Sequence, residues 1–404
     1  MSLKENFARR ADRMKASEIR ELLKLLDQPD IISFAGGIPD PELFPKEAFA
    51  EAMSAALSQD ASALQYSSSE GYAPLRVWLA QHMTSLGVPA DPDNIFITSG
   101  SQQALDYLGK LYMSPQDTAL VTWPTYLGAL GAFNAYEARF DQLNLTGNRG
   151  AEDYLAAASA EGSAVKFAYL SADFSNPTGE TVDRAGRLKL IAECDQMDCA
   201  LIEDGAYQAL RFDGDAVPPI QALEVAQKGS LEECRTIYCG SFSKTLSPGL
   251  RVGWVCARKD VIQKLVLIKQ AGDLHSATLN QIAVHRVAED LFDSHITKLR
   301  RVYAARRDAM LAALDREMPE GVDWTRPEGG MFVWLTLPKG LDGKALLEHA
   351  VQTHRVTFVP GGAFFADGSG GNTIRLSYSL PKEVVIDQGV ARLAGAMRDM
   401  MAKL

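Results

Sequence analysis

Short apolar runs alternate with helical stretches through the middle of the chain. Strands are predicted over Ile95–Thr98, Ala119–Thr122, Phe167–Leu170, Ala200–Ile202, Thr236–Cys239 and Val252–Cys256. Two of the intervening segments, Gln102–Tyr112 and Arg184–Cys194, are predicted to be helices. This alternation is typical of an α/β domain in which a mainly parallel sheet carries helices on both faces. Because ligands of such sheets bind beyond the carboxyl ends of the strands, site residues are expected there.

The pattern changes after about residue 285. A long charged helix is predicted over Ile282–Asp315, followed by strands over Met331–Leu335 and Thr373–Ser377 with helices between and after them. This mixture indicates a second, smaller α+β domain.

The beginning of the chain is predicted to be helical as well. Apolar residues fall at positions i, i+3, i+4 and i+7 (Ile19, Leu22, Leu23 and Leu26), which is the stripe of an amphipathic helix. We expect a large domain over residues 46–290 and a small domain that joins residues 1–45 to residues 291–404.

Composition and charge argue against several classes of protein. The 404 residues carry 41 basic and 51 acidic side chains, a net charge of −10, whereas a nucleic-acid-binding protein needs a basic surface. Apolar stretches are too short or too interrupted by charge for a membrane span, and the first residues lack the apolar core of a secretory signal. We therefore expect a cytoplasmic protein with neither a nucleic-acid nor a membrane partner.

Cysteine and histidine usage argues against a metal or disulfide framework. The five cysteines are odd in number and contain no C-x-x-C pair, which is typical of reduced thiols. The six histidines are scattered and form no H-E-x-x-H motif, so no metal site is predicted.

The most specific motif follows the strand that ends near Cys239. It reads Ser241-Phe-Ser243-Lys244, then a Pro-Gly turn, then Arg251-Val-Gly253. A buried lysine near another cation can lose its proton and form a Schiff base with an aldehyde. Two serine hydroxyls and an arginine fork suit a phosphate. A solvated Ser-Lys loop is the alternative interpretation.

A second motif, Thr98-Ser-Gly-Ser101-Gln102, lies where a strand ends and a helix begins. The free N–H groups and dipole of a helix N-terminus favour anions, although a capped helix after a strand is also commonplace. Since no Walker lysine follows the glycine, a nucleotide P-loop is disfavoured.

Two further segments place polar groups at strand ends. Asp204 closes an apolar strand three residues before Tyr207, and a buried carboxylate needs a cationic partner such as a protonated pyridine nitrogen. Asn176 precedes a proline, which holds it outside the helical region and presents its amide. An ordinary turn would explain either segment alone.

Taken in this order, the segments resemble the pyridoxal 5′-phosphate aminotransferases of fold type I, in particular the branch of the 2-aminoadipate and kynurenine/2-aminoadipate aminotransferases. The resemblance runs from Ser17 to about Ser379. The branch rests on Ser33-Phe-Ala-Gly-Gly-Ile-Pro-Asp, Gln65-Tyr66, Glu70-Gly-Tyr-Ala-Pro-Leu-Arg76 and Asp273-Leu-His275. The implied fold is a three-layer α/β/α large domain with a mainly parallel sheet, plus a smaller α+β domain.

The resemblance implies a role for each motif. Lys244 would form the Schiff base with pyridoxal 5′-phosphate and move the substrate proton, while Asp204 would keep the pyridine nitrogen protonated so that the ring accepts electrons. Tyr207 and Asn176 would hydrogen-bond the phenolic oxygen of the ring, and Tyr126 would stack on its face. The phosphate would be held by Ser101, Gln102, Ser241, Ser243 and Arg251.

The substrate and the second subunit are assigned in the same way. Arg375 would bind the substrate α-carboxylate with help from Asn176, and the segment at Gly37 would close over the substrate. Such enzymes are homodimers with the active site at the interface, where Tyr66 would reach the partner's phosphate; a core aromatic is the alternative. Arg20 would pair with the distal carboxylate of acidic substrates, or would be an ordinary surface cation.

The expected activity is transfer of an amino group between an L-amino acid and a 2-oxo acid by a ping-pong mechanism. Glutamate and 2-oxoglutarate are the expected shared pair, with acidic or broad substrates such as 2-aminoadipate. Cysteine-conjugate β-elimination and racemisation use the same carbanion and stay open as alternatives. A DNA-binding regulator is disfavoured, because only about 30 residues precede Ser33 where a small DNA-binding domain needs roughly 100.

Overall fold

The computed structural model of the chain describes residues 6–14 and 30–403. Its strands are β1 (Ile32–Ser33), β2 (Ile95–Thr98), β3 (Thr118–Val121), β4 (Arg139–Gln142), β5 (Val165–Leu170), β6 (Ala200–Asp204), β7 (Thr236–Ser241), β8 (Gly253–Cys256), β9 (Asp323–Trp324), β10 (Phe332–Thr336), β11 (Val356–Thr357), β12 (Val359–Pro360) and β13 (Thr373–Ser377).

The α-helices in the described residues cover most of the chain between these strands. They span Lys46–Gln59, Ala73–Ser85, Ser101–Tyr112, Leu127–Asn134, Ala151–Ala160, Arg184–Met197, Ile220–Lys228, Lys259–Gly272, Thr278–Glu317, Gly343–His349 and Glu383–Met401. Three of these helices, Ser101–Tyr112, Arg184–Met197 and Thr278–Glu317, were predicted with ends no more than four residues away from the observed ones. The helix predicted around residues 19–26 lies outside the described residues.

Seven strands form the central sheet in the order β2-β8-β7-β6-β5-β3-β4. All neighbours in it are parallel except β8, which runs antiparallel to both β2 and β7. The mainly parallel α/β sheet is therefore confirmed. Strands β2, β3, β6, β7 and β8 are buried along their whole length, which explains their unbroken apolar runs.

The edge strand β4 was not predicted. Its sequence is Arg-Phe-Asp-Gln and each residue is only half-buried, so no apolar run or alternation marks it. Polar and charged side chains are what an edge strand carries when it must avoid pairing with another sheet.

A second group of strands lies outside the central sheet. Strands β12, β13, β10 and β9 form an antiparallel sheet, and β1 pairs in parallel with β11. Strand β1 therefore packs with the C-terminal part of the chain. Helix Thr278–Glu317 runs without a break through residue 290, and the division into domains at that point stays a prediction.

Two further properties concern membrane spans and cysteines. Among the described residues, no helix is both long and apolar enough to cross a bilayer. All five cysteines are buried and free.

Candidate active site

A cleft of about 250 Å³ opens at the carboxyl ends of β2, β5, β6 and β7, the edge at which a ligand was expected. Its lining includes every predicted site residue other than Tyr66 and Arg20. These residues are Gly37, Ser101, Gln102, Tyr126, Asn176, Asp204, Tyr207, Ser241, Ser243, Lys244, Arg251 and Arg375.

One end of the cleft is built to hold an anion. Helix Ser101–Tyr112 begins there, and Arg251 crosses the turn before it, with Nη2 donating to the Ser99 carbonyl at 3.3 Å and Nη1 to Ser243 Oγ at 3.4 Å. Arg251 has a φ of 53°, a left-handed conformation that is strained for a side chain of this size. Free N–H groups, hydroxyls and a guanidinium thus converge on one point, which suits a phosphate.

Glycine is required for this close approach. A Cβ on Gly253 would lie 2.7 Å from the Ser101 nitrogen, and a Cβ on Gly100, which has a φ of 82°, would overlap the Arg251 guanidinium. Because these two positions have no side chain, β8, the helix N-terminus and Arg251 can approach each other closely. The anion-binding end of the cleft therefore depends on these two glycines as well as on its hydrogen-bond donors.

Lys244 lies at the centre of the cleft, three residues after β7 ends. Its Nζ donates to the Gly37 carbonyl at 2.9 Å and lies 5.9 Å from the centre of the Tyr207 ring. Enclosure in the cleft, followed by the positive charges of Arg375 and Arg251, lowers the pKa of Lys244 to about 8. About one-tenth of this amine is therefore neutral, and hence nucleophilic, at pH 7.

Asp204 occupies the last position of β6 and is 5% exposed. Its Oδ2 accepts a hydrogen bond from the Tyr169 hydroxyl at 2.8 Å, and Oδ1 accepts one from the Ala206 N–H at 3.2 Å. Burial raises the pKa of Asp204, while the Tyr169 hydrogen bond opposes that rise. Within the described part of the chain no lysine or arginine forms an ion pair with it, so a protonated pyridine nitrogen fits this carboxylate.

Arg375 lies on β13 and is 1% exposed. Its Nη1 donates to Asn176 Oδ1 at 2.7 Å and its Nη2 to the Ala35 carbonyl at 2.9 Å, while the Phe332 ring lies 4.3 Å from its guanidinium carbon. Burial lowers the pKa of Arg375 to about 10, which still leaves it charged at pH 7. Since the described residues supply it with neutral acceptors only, this cation is suited to bind the carboxylate of a ligand.

Two tyrosines complete the walls of the cleft. The Tyr126 hydroxyl donates to Gln102 Oε1 at 3.3 Å, and Gln102 Nε2 donates in turn to the Gly128 carbonyl at 2.7 Å. Burial raises the pKa of Tyr207, and a hydrogen bond with Asn176 acts in the opposite direction. Burial raises the pKa of Tyr126 as well, so both phenols stay protonated at neutral pH and can donate hydrogen bonds.

Sequence reasoning missed several lining residues and one supporting residue. Ile38, Ser171, Ala206 and Pro248 line the cleft as well. Tyr169 lies behind Asp204 on the neighbouring strand β5. The signal for Tyr169 is absent from its own segment, because its role depends on how two strands align in the sheet.

Two predicted residues are absent from the described lining of the cleft, for different reasons. Tyr66 is 79% exposed and packs edge-on against the His275 ring at 5.9 Å, so the alternative of a core aromatic is wrong. Arg20 lies outside the described residues. The roles assigned to both stay predictions.

Comparisons with known proteins agree with this geometry. The family model for aminotransferase class I and II matches residues 29–393. The 2-aminoadipate transaminase of Thermus thermophilus is 43% identical over 403 residues, covering 100% of this chain and 99% of that protein. Aromatic-amino-acid aminotransferase 1 of Thermococcus litoralis is 44% identical over 405 residues, covering 98% of this chain and 95% of that protein.

A solved structure extends the likeness to three dimensions. The crystal structure of LysN, the alpha-aminoadipate aminotransferase of Thermus thermophilus, complexed with N-(5′-phosphopyridoxyl)-L-leucine, superposes with a TM-score of 0.90 at 42% identity, covering 100% of both chains. The resemblance to fold type I enzymes and the pyridoxal phosphate requirement are both confirmed. The chain belongs to the class I and II aminotransferases and is a pyridoxal-phosphate-dependent transaminase whose substrates are an amino acid and a 2-oxo acid.

Proposed function

We propose that this transaminase exchanges the amino group between glutamate and 2-oxoglutarate on one side and acidic or varied amino acids, such as 2-aminoadipate, on the other. The two half-reactions would follow a ping-pong order in one cleft. The observation that carries the proposal is the arrangement of three groups in one cleft. Lys244 shares it with the anion-binding end at Arg251 and with Arg375, a buried cation suited to bind a carboxylate.

The cleft residues divide the work of holding the cofactor. Bound pyridoxal phosphate supplies an electron sink for the charge that develops at the substrate Cα. Lys244 would hold its aldehyde carbon and Asp204 its ring nitrogen, while Tyr126 would cover one face. Asn176 and Tyr207, which both line the cleft, would share the phenolic oxygen. The phosphate would be held by Ser101, Gln102, Ser241, Ser243 and Arg251.

Proton transfer at the substrate Cα falls to Lys244. An amine whose pKa is about 8 can accept a proton and return it near neutral pH, which is the requirement for a general base that later acts as an acid. Arg375 would bind the α-carboxylate through its fork and so fix Cα beside that amine. Gly37, whose carbonyl now accepts the lysine hydrogen bond, belongs to the segment that would close over the substrate.

The second subunit and the distal substrate group are part of the same proposal. The exposed Tyr66 would reach across a homodimer interface to the partner's phosphate, which accounts for a bare aromatic ring at the surface. Arg20 would pair with the distal carboxylate of an acidic substrate. We place the enzyme in the cytoplasm, where its five free cysteines would stay reduced.

Trapping the lysine tests the catalytic assignment. Borohydride reduction of the holoenzyme should attach the cofactor to Lys244, and Lys244→Ala should lose both the visible cofactor absorbance and transamination. Lys264→Ala is the matched control, since Lys264 is an exposed lysine on helix Lys259–Gly272 and should behave as wild type. Cofactor trapped at another lysine, or none trapped in the wild type, would overturn the assignment.

A single-turnover panel of amino acids tests the substrate proposal. The loss of cofactor absorbance in the wild type should saturate with 2-aminoadipate, glutamate and aspartate. Alanine and valine should react only weakly. Arg20→Met should raise the substrate dissociation constant for the acidic group and leave valine unchanged. If Arg20→Met affects no substrate, the arginine is a surface cation.

The same reactions separate transamination from the other chemistries of this cofactor. Turnover should require a 2-oxo acid acceptor and produce the matching amino acid. Release of pyruvate and ammonia from a cysteine conjugate without any acceptor would identify a β-lyase, and loss of optical activity without amino transfer would identify a racemase.

A further inference from the structure

Two of the chain's six histidines lie together on the surface of the C-terminal part, away from the residues that line the cleft. His349 Nε2 lies 3.2 Å and His354 Nε2 lies 2.8 Å from the same oxygen, Oδ2 of Asp399. The imidazole rings are partly buried and their centroids are 5.7 Å apart. We propose that His349, His354 and Asp399 form a binding site for a divalent transition-metal ion of the zinc class.

The backbone is specially arranged to bring the two histidines together. They are five residues apart, and in an α-helix residues at that spacing point roughly 140° away from each other. Helix Gly343–His349 instead continues into a π-helical turn over Ala350–His354, where the Arg355 N–H donates to the Ala350 carbonyl. The i→i+5 bonding of a π-turn brings residues five apart onto one face, and such turns occur frequently at functional sites.

The facing helix makes room for one of the rings. Gly395 lies on helix Glu383–Met401, one turn before Asp399, and a Cβ there would lie 2.9 Å from Cε1 and 3.0 Å from Nδ1 of His354. Glycine inside a helix is less favourable than alanine. Its presence here lets the His354 imidazole lie against the helix backbone and reach Asp399.

The ligand set selects the class of ion. Two imidazole nitrogens and one carboxylate oxygen are typical of zinc and its neighbours, whereas calcium and magnesium prefer oxygen ligands. Bonds of about 2.0–2.1 Å in a tetrahedron place neighbouring ligand atoms about 3.3 Å apart. The observed nitrogen–oxygen separations of 2.8 and 3.2 Å are close to that value, and solvent can fill the fourth position because Asp399 is half exposed.

This site differs from the sequence-based expectation of no metal. An H-x₄-H spacing with an aspartate 45 positions later matches no local metal motif, and only the π-turn and the packing of two helices join the three ligands. A bound ion would link the turn before β11 to the C-terminal helix. Since the ion binds only the folded arrangement, it would stabilise the enzyme as its free concentration rises.

Metal binding by the intact holoenzyme tests the proposal. After treatment with a chelator and dialysis, the wild type should bind one equivalent of Zn²⁺ per chain at micromolar free zinc and should not bind Mg²⁺. His349→Gln, His354→Gln and Asp399→Asn should each lower the zinc affinity at least tenfold and abolish the zinc-dependent rise in Tm. His285→Gln, which removes a histidine outside the cluster, is the matched control and should bind zinc as the wild type does.

A fourth variant separates the geometry from the ligands themselves. Gly395→Ala keeps all three side chains but displaces the His354 ring, so it should weaken zinc binding while helix content and transamination stay unchanged. The proposal is overturned if the wild type binds no zinc, if the three ligand variants keep the wild-type stoichiometry and affinity, or if His285→Gln loses as much as they do. In the first case the cluster is held by its own hydrogen bonds alone.

Discussion

The pKa of Lys244 is a quantity on which the catalytic proposal depends and which can be measured directly. Burial and two neighbouring guanidinium groups lower the pKa of this amine from 10.5 to about 8. At pH 7 an amine of pKa 8 is about one-tenth neutral, whereas one of pKa 10.5 is about 0.03% neutral, a difference of about 300-fold. The enzyme freed of its cofactor should therefore react with pyridoxal phosphate at a rate that rises about tenfold per pH unit up to pH 8 and then levels off.

Stopped-flow recombination of the cofactor-free enzyme with pyridoxal phosphate between pH 6 and 10 measures this profile. The phosphate and the ring of the cofactor also titrate, so Nα-acetyllysine in the same buffers supplies a reference reaction. Dividing the enzyme rate by the reference rate removes the ionisations that belong to the cofactor. The ratio then depends on the two amines alone: it should be constant below about pH 8 and fall about tenfold per pH unit between about pH 8 and 10, where only the reference amine still gains neutral form.

The outcome that refutes the reasoning is a rate ratio that stays constant across the whole range. Both amines would then have the ordinary pKa, and the two arginines and the enclosure of the cleft would have no effect on Lys244. Circular dichroism at each pH provides the control that the cofactor-free enzyme remains folded.

Three other perturbations follow from the contacts in the cleft. Lys244→Met should raise the free energy of unfolding of the cofactor-free enzyme in urea by up to about 3 kcal/mol at pH 7, because a lysine whose pKa is lowered by folding destabilises the folded state below about pH 8. This increase should vanish above pH 10.5, where the lysine is neutral in both the folded and the unfolded state. Tyr169→Phe removes the hydrogen bond that opposes the raised pKa of Asp204 and should slow single turnover about tenfold, with an unchanged rate arguing against that coupling. Arg375→Lys should lower kcat/KM about 100-fold, or about 3 kcal/mol, because a point charge cannot replace the fork. Its cofactor affinity should stay at the wild-type value, and a parallel loss there would place Arg375 on the phosphate.

The central sheet could be predicted because most of its strands are buried on both faces and carry unbroken apolar runs. Strand β4 escaped prediction because its exposed edge position permits Arg-Phe-Asp-Gln. The two-residue pairing of β1 with β11 joins residues more than 320 positions apart, so nothing in either segment reveals it. The antiparallel direction of β8 could not be predicted either, since an apolar run does not show in which direction the strand runs in the sheet.

The candidate site was predictable where its chemistry lies within one segment. Ser241, Ser243, Lys244 and Arg251 lie within eleven residues, so one segment predicts a phosphate site beside a nucleophilic lysine. Tyr169 could not be found in this way, because it reaches Asp204 across the β5–β6 pairing of the sheet. The cluster at Asp399 shows the same limit, since a π-turn and two packed helices assemble its three side chains.

The two buried charged groups of the cleft, Arg375 and Asp204, are hydrogen-bonded by neutral partners. Arg375 is solvated by two neutral oxygens and lies between the aromatic faces of Phe332 and Phe364, with guanidinium-to-centroid distances of 4.3 and 5.1 Å. Asp204, in turn, is held by a phenol and a backbone N–H instead of a cation. If Arg375 and Asp204 formed an ion pair with each other, neither charge would be available to bind a ligand. Neutral partners leave both charges for the proposed ligands, a carboxylate at Arg375 and a ring nitrogen at Asp204, and Nε of Arg375 has no hydrogen-bond partner among the described residues.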